Sequence, residues 1–159
     1  MNITIIAVGK IKENYLREGI AEFQKRLRPY ANINIIEVPD EKTPDNASDA
    51  DNAIILAKEG QGILRYIENG TYVIVLDIQG KMLSSEELAH FLAERALNGQ
   101  SKIAIIIGGS LGLSPEVKKR ADYKLSFSRL TFPHQMMRLI LFEQIYRAFR
   151  INQGAPYHK

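Results

Sequence analysis

The sequence predicts an α/β domain, a mostly parallel sheet flanked by helices, and two observations carry that prediction. Segments such as Asn2–Val8 and Lys102–Ile107 are rich in β-branched residues and almost continuously apolar, as strands covered on both faces must be. Strand and helix patterns alternate five times along the chain, the arrangement of parallel strands joined by crossover helices.

Each element has its own signature. The first strand, 2–8, stops at Gly9, and Leu16, Ile20, Phe23 and Leu27 then recur at helical spacing up to Pro29. That spacing gives an amphipathic helix over 12–28. Residues 32–38 form a second strand, ended by Pro39. The acidic, proline-containing stretch 40–51 is a loop leading into a helix at about 49–69, in which Gly60 and Gly62 lower helix propensity. A third strand runs from Tyr72 to Ile78 and ends before Gly80. Ser84 supplies an N-cap, and Glu86 and Glu87 an acidic first turn, for a helix over 85–98. The strand 102–107 breaks at Gly108-Gly109-Ser110-Leu111-Gly112. A short helix over 115–121, a strand over 123–127 and a final helix over 134–152 complete the chain. No repeat or linker interrupts this series, so residues 1–159 form one domain, for which general topology rules predict an ordinary doubly wound strand order.

Composition narrows the class further. At 159 residues and 45% hydrophobic content, the chain can bury about 70% of its unfolded surface without cross-links. Cysteine is absent, which excludes disulfides, thiolate zinc sites and cysteine nucleophiles, and fits a reducing compartment. The chain starts directly with a strand and has no apolar run near the roughly 18 residues that span a bilayer. No membrane association is expected, and the cytoplasm is the expected location. His90, His134 and His158 lack ligand spacing, so no metal site is expected.

Charge is unevenly distributed. Residues 118–159 carry nine Lys and Arg against Asp122 and Glu143, a net +7, whereas residues 1–117 are net −4. A mildly acidic body with a strongly basic end suggests a polyanionic partner.

Two irregular turns mark a ligand site. The glycine turn at 108–112 and the segment Ser128-Arg129-Leu130-Thr131-Phe132-Pro133-His134 both follow strands, where open α/β sheets bind ligands. The first strand offers only Gly9, so the dinucleotide fingerprint is missing, and no phosphate-binding G-x-x-x-x-G-K-[ST] loop exists. On the final helix Glu143, Gln144, Arg147 and Arg150 share one polar stripe, while apolar residues including Ile145 and Phe149 cover most of the remaining girth. Packing on one sheet uses one side of a helix, so this girth suggests a subunit interface. Arg138 lies on the apolar face and must meet a carboxylate, a phosphate or a partner subunit, because an unpaired buried guanidinium is costly.

Gly108-Gly109-Ser110-x-Gly112, Leu125-Ser126-x-Ser128, Thr131-Phe132-Pro133-His134-Gln135-Met136-Met137-Arg138, Glu143-Gln144-x-Tyr146-Arg147-Ala148 and the terminal Tyr157-His158-Lys159 together resemble one family. They look like the bacterial SPOUT-class methyltransferases that modify a pseudouridine of 23S ribosomal RNA at N3, the ribosomal RNA large subunit methyltransferase H family. The resemblance extends over the whole chain. It implies a SPOUT-type α/β knot with a C-terminal trefoil knot, and S-adenosyl-L-methionine as cofactor. By the same resemblance the cofactor is held by Leu76, Gly108, Phe127, Ser128, Arg129, Leu130, Thr131 and Phe132. It also implies a homodimer with cofactor sites near the subunit interface, and a substrate, 23S rRNA, within the assembled ribosome. The family usually ends in Arg, where this chain has Lys159.

Methylation at N3 requires the loss of a proton and passes through an imide anion, which a cation stabilises and a base relieves of its proton. Arg138, Arg147 and Lys159 are the candidate cations. His158 is the candidate base, since imidazole titrates near neutrality. The rival reading is a noncatalytic ribosome- or RNA-binding factor, which would bind with strong salt dependence and have no affinity for S-adenosylmethionine.

Overall fold

The five alternations fold as five strands and five helices in a computed structural model that describes residues 1–159. In chain order they are β1 (Asn2–Val8), α1 (Asn14–Leu27), β2 (Asn32–Val38), α2 (Asp49–Leu64), β3 (Tyr72–Met82), α3 (Ser85–Leu97), β4 (Lys102–Ile107), α4 (Pro115–Arg120), β5 (Tyr123–Ser126) and α5 (His134–Asn152). Every strand pair is parallel, in the order β2-β1-β4-β3-β5. This departs from the ordinary doubly wound order, because β4 returns to lie between β1 and β3. No helix is long and apolar enough to cross a membrane.

Strand periodicity sorts the isoleucines into two layers. Ile3, Ile5, Ile103, Ile105 and Ile107 join Leu16, Ile20, Leu88, Leu92, Leu141 and Phe142 under α1, α3 and α5. Ile6, Val8, Val73, Val75 and Ile106 face the opposite side, with Ile63 of α2 and Val117 of α4. Each fully buried side chain of this size contributes about 1.5–3 kcal/mol, so these two layers dominate the fold's stability.

Helix ends follow their capping residues. Ser48 and Ser84 each accept a hydrogen bond from the third backbone N–H of their helix while the Asp51 and Glu87 carboxylates accept one from the Ser48 and Ser84 N–H, completing capping boxes for α2 and α3. The helix expected over 49–69 ends at Leu64, and residues 65–70 turn toward β3. The glycines within α2 serve packing. A Cβ on Gly62 would come 2.7 Å from Val38, and one on Gly60 would meet the Ser114 hydroxyl.

Two tertiary features position the site. β3 runs four residues past the expected Ile78, because Lys81 and Met82 resume pairing with Leu125 and Ser126 of β5 after 77–80 bulge away. A Cβ on Gly80 would lie 2.7 Å from the Lys124 backbone, so the bulge needs glycine there. The other feature is α5, which packs against both α1 and α3. Its girth is therefore used within one chain. Ile145 is a core residue, and Phe149 stacks on Tyr30 at 5.9 Å and 14°. The apolar girth thus gives no argument for an interface, because sequence could not show that α5 has a helical neighbour on each flank.

Candidate active site

The carboxyl ends of β3, β4 and β5 converge on a cavity of about 360 Å³, within the usual range for small-molecule sites. The bulge within β3, with Leu76 just before it, supplies Leu76 to Gln79. The glycine turn after β4 supplies Gly108, Gly109, Ser110 and Gly112, and the last turn supplies Phe127, Ser128, Leu130, Thr131 and Phe132.

Local chemistry shapes each wall. Gly112 adopts φ +83°, which glycine alone accepts without strain, and its N–H donates to the Gly109 carbonyl at 3.0 Å. A Cβ on Gly108 would run into the Gly112 carbonyl, so this glycine is required by the turn itself. In the last turn the Ser126 hydroxyl donates to the Ser128 carbonyl, and the Ser128 hydroxyl accepts from the Leu130 N–H, each at 3.0 Å. These local bonds fix the segment between β5 and α5 without a helix or strand. Asp77, largely buried, is answered by the Lys118 ammonium at 3.7 Å.

Seven of the eight residues expected to hold a cofactor line this cavity: Leu76, Gly108, Phe127, Ser128, Leu130, Thr131 and Phe132. Arg129, in the same turn, is exposed and does not line it. Sequence reasoning missed Asp77, Ile78, Gln79, Lys118 and Met137, which also do. Gly80 was the available signal for the bulge, and His134 closes the turn segment 128–134 that the sequence marks as part of a ligand site.

The four expected catalytic residues lie outside the cavity. Arg138, 2% exposed, donates to Glu37 Oε2 at 2.6 Å and to the Gly9 carbonyl at 3.1 Å. The carboxylate that its burial demanded is therefore supplied by β2 of the same chain. Lys159 is exposed and forms no ion pair.

Arg147 and His158 belong to a network that docks the C-terminal tail. Arg147 bonds Glu143 at 2.6 Å, its guanidinium covers the Tyr157 ring at 4.8 Å, and Tyr157 meets Tyr146 edge-on at 4.9 Å. The Tyr157 hydroxyl donates to Glu143 at 3.2 Å. Burial, with the Glu143 charge beside it, raises the pKa of that hydroxyl.

His158 contacts Arg147 through Nδ1 at 3.1 Å and Glu86 through Nε2 at 2.6 Å. A guanidinium only donates, so Nδ1 accepts and Nε2 carries the proton given to Glu86. Both ring nitrogens are engaged, and neither can take a further proton in this arrangement. Glu86 is held below the ordinary carboxylate range, first by its own backbone N–H and then by His158.

Folding also consumes much of the C-terminal charge. Lys118, Arg120, Arg138 and Arg147 pair with Asp77, Asp122, Glu37 and Glu143. Arg150 donates to the Tyr30 hydroxyl at 3.0 Å. Lys119, Lys124, Arg129 and Lys159 are left exposed and without ion pairs.

Comparison with known proteins identifies relatives of this chain. The family model described as "Predicted SPOUT methyltransferase" matches residues 1–158. A protein of Carboxydothermus hydrogenoformans named ribosomal RNA large subunit methyltransferase H is 63% identical over 159 residues, covering 100% of both chains. One of Alkaliphilus oremlandii with the same name is 64% identical over the same length and coverage. The fold resembles a solved structure titled as a probable methyltransferase from Bordetella pertussis, with a TM-score of 0.56 at 12% identity, covering 92% of this chain and 95% of that one. A probable methylase family protein of Haemophilus influenzae gives a TM-score of 0.51 at 16% identity, over 99% of this chain and 70% of that one.

Proposed function

We propose the following chemistry for this chain, which belongs to the SPOUT methyltransferase family: it transfers a methyl group from S-adenosylmethionine to large-subunit ribosomal RNA, at N3 of a pseudouridine in 23S rRNA. The observation that carries this reading is the full-length identity above 60% to relatives named ribosomal RNA large subunit methyltransferase H, joined to a cavity formed where three strands end. That cavity suits the donor. Its apolar wall, including Leu76, Leu125, Phe127 and Phe132, offers a surface for an adenine ring, while Ser110, Ser128 and Thr131 offer polar groups for a ribose or an amino-acid end. When bound, S-adenosylmethionine supplies an electrophilic methyl group on a sulfonium.

The chain's own residues have to orient the base and manage its proton. His158, Arg147 and Lys159 do not line the cavity of their own chain, so we take the working enzyme to be a homodimer in which the tail of one copy serves the cavity of the other. His158 acts as base only after its Nδ1 exchanges Arg147 for the substrate, whereas Arg147 and Lys159 favour the imide anion by charge. The threading of the last turn and α5 is taken as a trefoil knot, as the family resemblance implies. The cytoplasm, where ribosomes work, is the proposed location.

The test is transfer of labelled methyl from S-adenosylmethionine to ribosomes lacking the modification, followed by nucleoside mass analysis of the 23S rRNA. The expected product is a methylated pseudouridine. RNA binding with strong salt dependence, but with no methyl transfer and no affinity for S-adenosylmethionine, would refute the reading in favour of a noncatalytic RNA-binding factor.

A further inference from the structure

Behind the glycine turn sits a carboxyl group with no place in the chemistry above. Glu59 of α2 is only 4% exposed. Its Oε2 accepts from the Glu41 N–H at 3.1 Å, while Oε1 has no hydrogen-bond partner. That oxygen faces the turn: a Cβ built on Gly109 would lie 3.6 Å from Oε1 and 3.1 Å from Val8. The next residue, Gly60, sits so close to Ser114 that a Cβ there would meet its hydroxyl, and Ser114 caps α4 by accepting from the Val117 N–H at 3.2 Å. α2 is therefore pressed against both ends of the segment running from the turn to α4, and Gly109, Ser110 and Gly112 of that segment line the cavity.

We propose that Glu59 is a positioning residue of the methyl-donor site, setting the glycine turn from behind so that gain or loss of one proton on its carboxyl tunes ligand affinity. The inference rests on reading the cavity as the donor site.

The surroundings decide which form fits. The charged groups facing Glu59 are both acidic, Asp40 and Glu41 from the segment after β2. The turn and β1 present Gly109 and Val8, neither of which titrates, and no ion pair reaches Glu59. Its neighbour Lys58 is exposed. Burial pushes the Glu59 pKa up to about 7, and the Asp40 carboxyl beside it adds to the rise while the Glu41 N–H opposes it. Asp40 is exposed, and its carboxyl beside Glu59 favours the protonated form of Glu59. The folded-state pKa is raised, so the stabilisation is complete below the ordinary 4.5 and lost as pH rises through about 7. Above that, two carboxylates repel beside a dry wall of the turn.

The experiment is calorimetric titration with S-adenosylhomocysteine from pH 6 to 8.5, on the wild type and on Glu59→Gln, together with backbone amide shifts of Gly109 and Ser110 in both proteins without ligand. Wild-type affinity should fall about three- to tenfold across the range, a change equivalent to about a pKa unit or less, and the turn amides should titrate in parallel. Glu59→Gln, neutral at every pH, should keep the acid-limit affinity and show flat amide shifts. The same pH slope in Glu59→Gln as in the wild type would overturn the proposal, as would turn amides that do not titrate. Should wild-type turn amides titrate but no ligand bind at any pH, Glu59's hold on the turn would stand and the donor-site reading would fail.

Discussion

Removing Glu37 should cost more stability than removing Arg138, although the two form one ion pair. The asymmetry follows from exposure: the Arg138 side chain is 2% exposed and that of Glu37 37%. Glu37→Ala leaves a guanidinium buried with only the Gly9 carbonyl at 3.1 Å for company and removes the acceptor of the Ile11 N–H. Stranding a buried charge costs about 3–5 kcal/mol. Arg138→Met keeps an apolar stem in place, removes a buried Nε that has no partner, and leaves a carboxylate that water can reach. Its cost is the Gly9 bond and a half-exposed pair, about 1–2 kcal/mol. The expected gap is about 2 kcal/mol, or roughly 4–8 °C in melting temperature for a chain of this size. Urea and thermal unfolding of the two variants measure it directly. An Arg138→Met variant as unstable as Glu37→Ala would refute the argument that the buried partner sets the cost. Affinity for S-adenosylhomocysteine should be unchanged in both, since neither residue lines the cavity.

Two further outcomes separate folding from function. Leu130 lines the cavity yet is 71% exposed, so Leu130→Ala should weaken S-adenosylhomocysteine binding by about tenfold, the worth of one apolar contact, and leave the unfolding midpoint unchanged; Gly108→Ala, which drives a Cβ into the Gly112 carbonyl, should lower both together. Deleting Tyr157-His158-Lys159 should reduce ribosome methylation by at least about a hundredfold, the lower range for losing an acid or base, with ligand affinity little changed. The same deletion should soften acid unfolding. Glu86 has a lowered pKa, so its stabilisation is present above the ordinary 4.5 and lost as pH falls through the lowered value, and His158 supplies part of that lowering. Full methylation by the truncated protein would show that the tail takes no part in the chemistry.

The elements were legible because their signals are local. β1, β2 and α5 have the predicted limits, and β4 ends where the glycines begin. Runs such as Ile103–Ile107, stiff at Cβ and apolar on both faces, have no good home except a central strand. The motif resemblance likewise reached seven of the residues that line the cavity, six of them in the turns after β4 and β5, each of which is contiguous in sequence.

What the tertiary structure alone decided is which distant groups meet. Arg138 needed a counter-charge by simple electrostatics, but nothing in the sequence pointed to Glu37, 101 positions earlier. α5 read as a helix seeking a second subunit because the flanking positions of α1 and α3 depend on strand order, which β4 sets by entering between β1 and β3. The end of β3 depends on β5, whose backbone makes Lys81 and Met82 strand residues beyond the bulge. Glu59 carries no signal in the sequence beyond its place in the helix expected over about 49–69. Only the close packing of Gly60 on Ser114 presses that carboxyl against the glycine turn, where burial and Asp40 change its acidity. Local sequence specifies backbone preference and apolar periodicity; the partner of a charge, the neighbour of a helix and the desolvation of an acid are set by contacts between segments far apart in the chain.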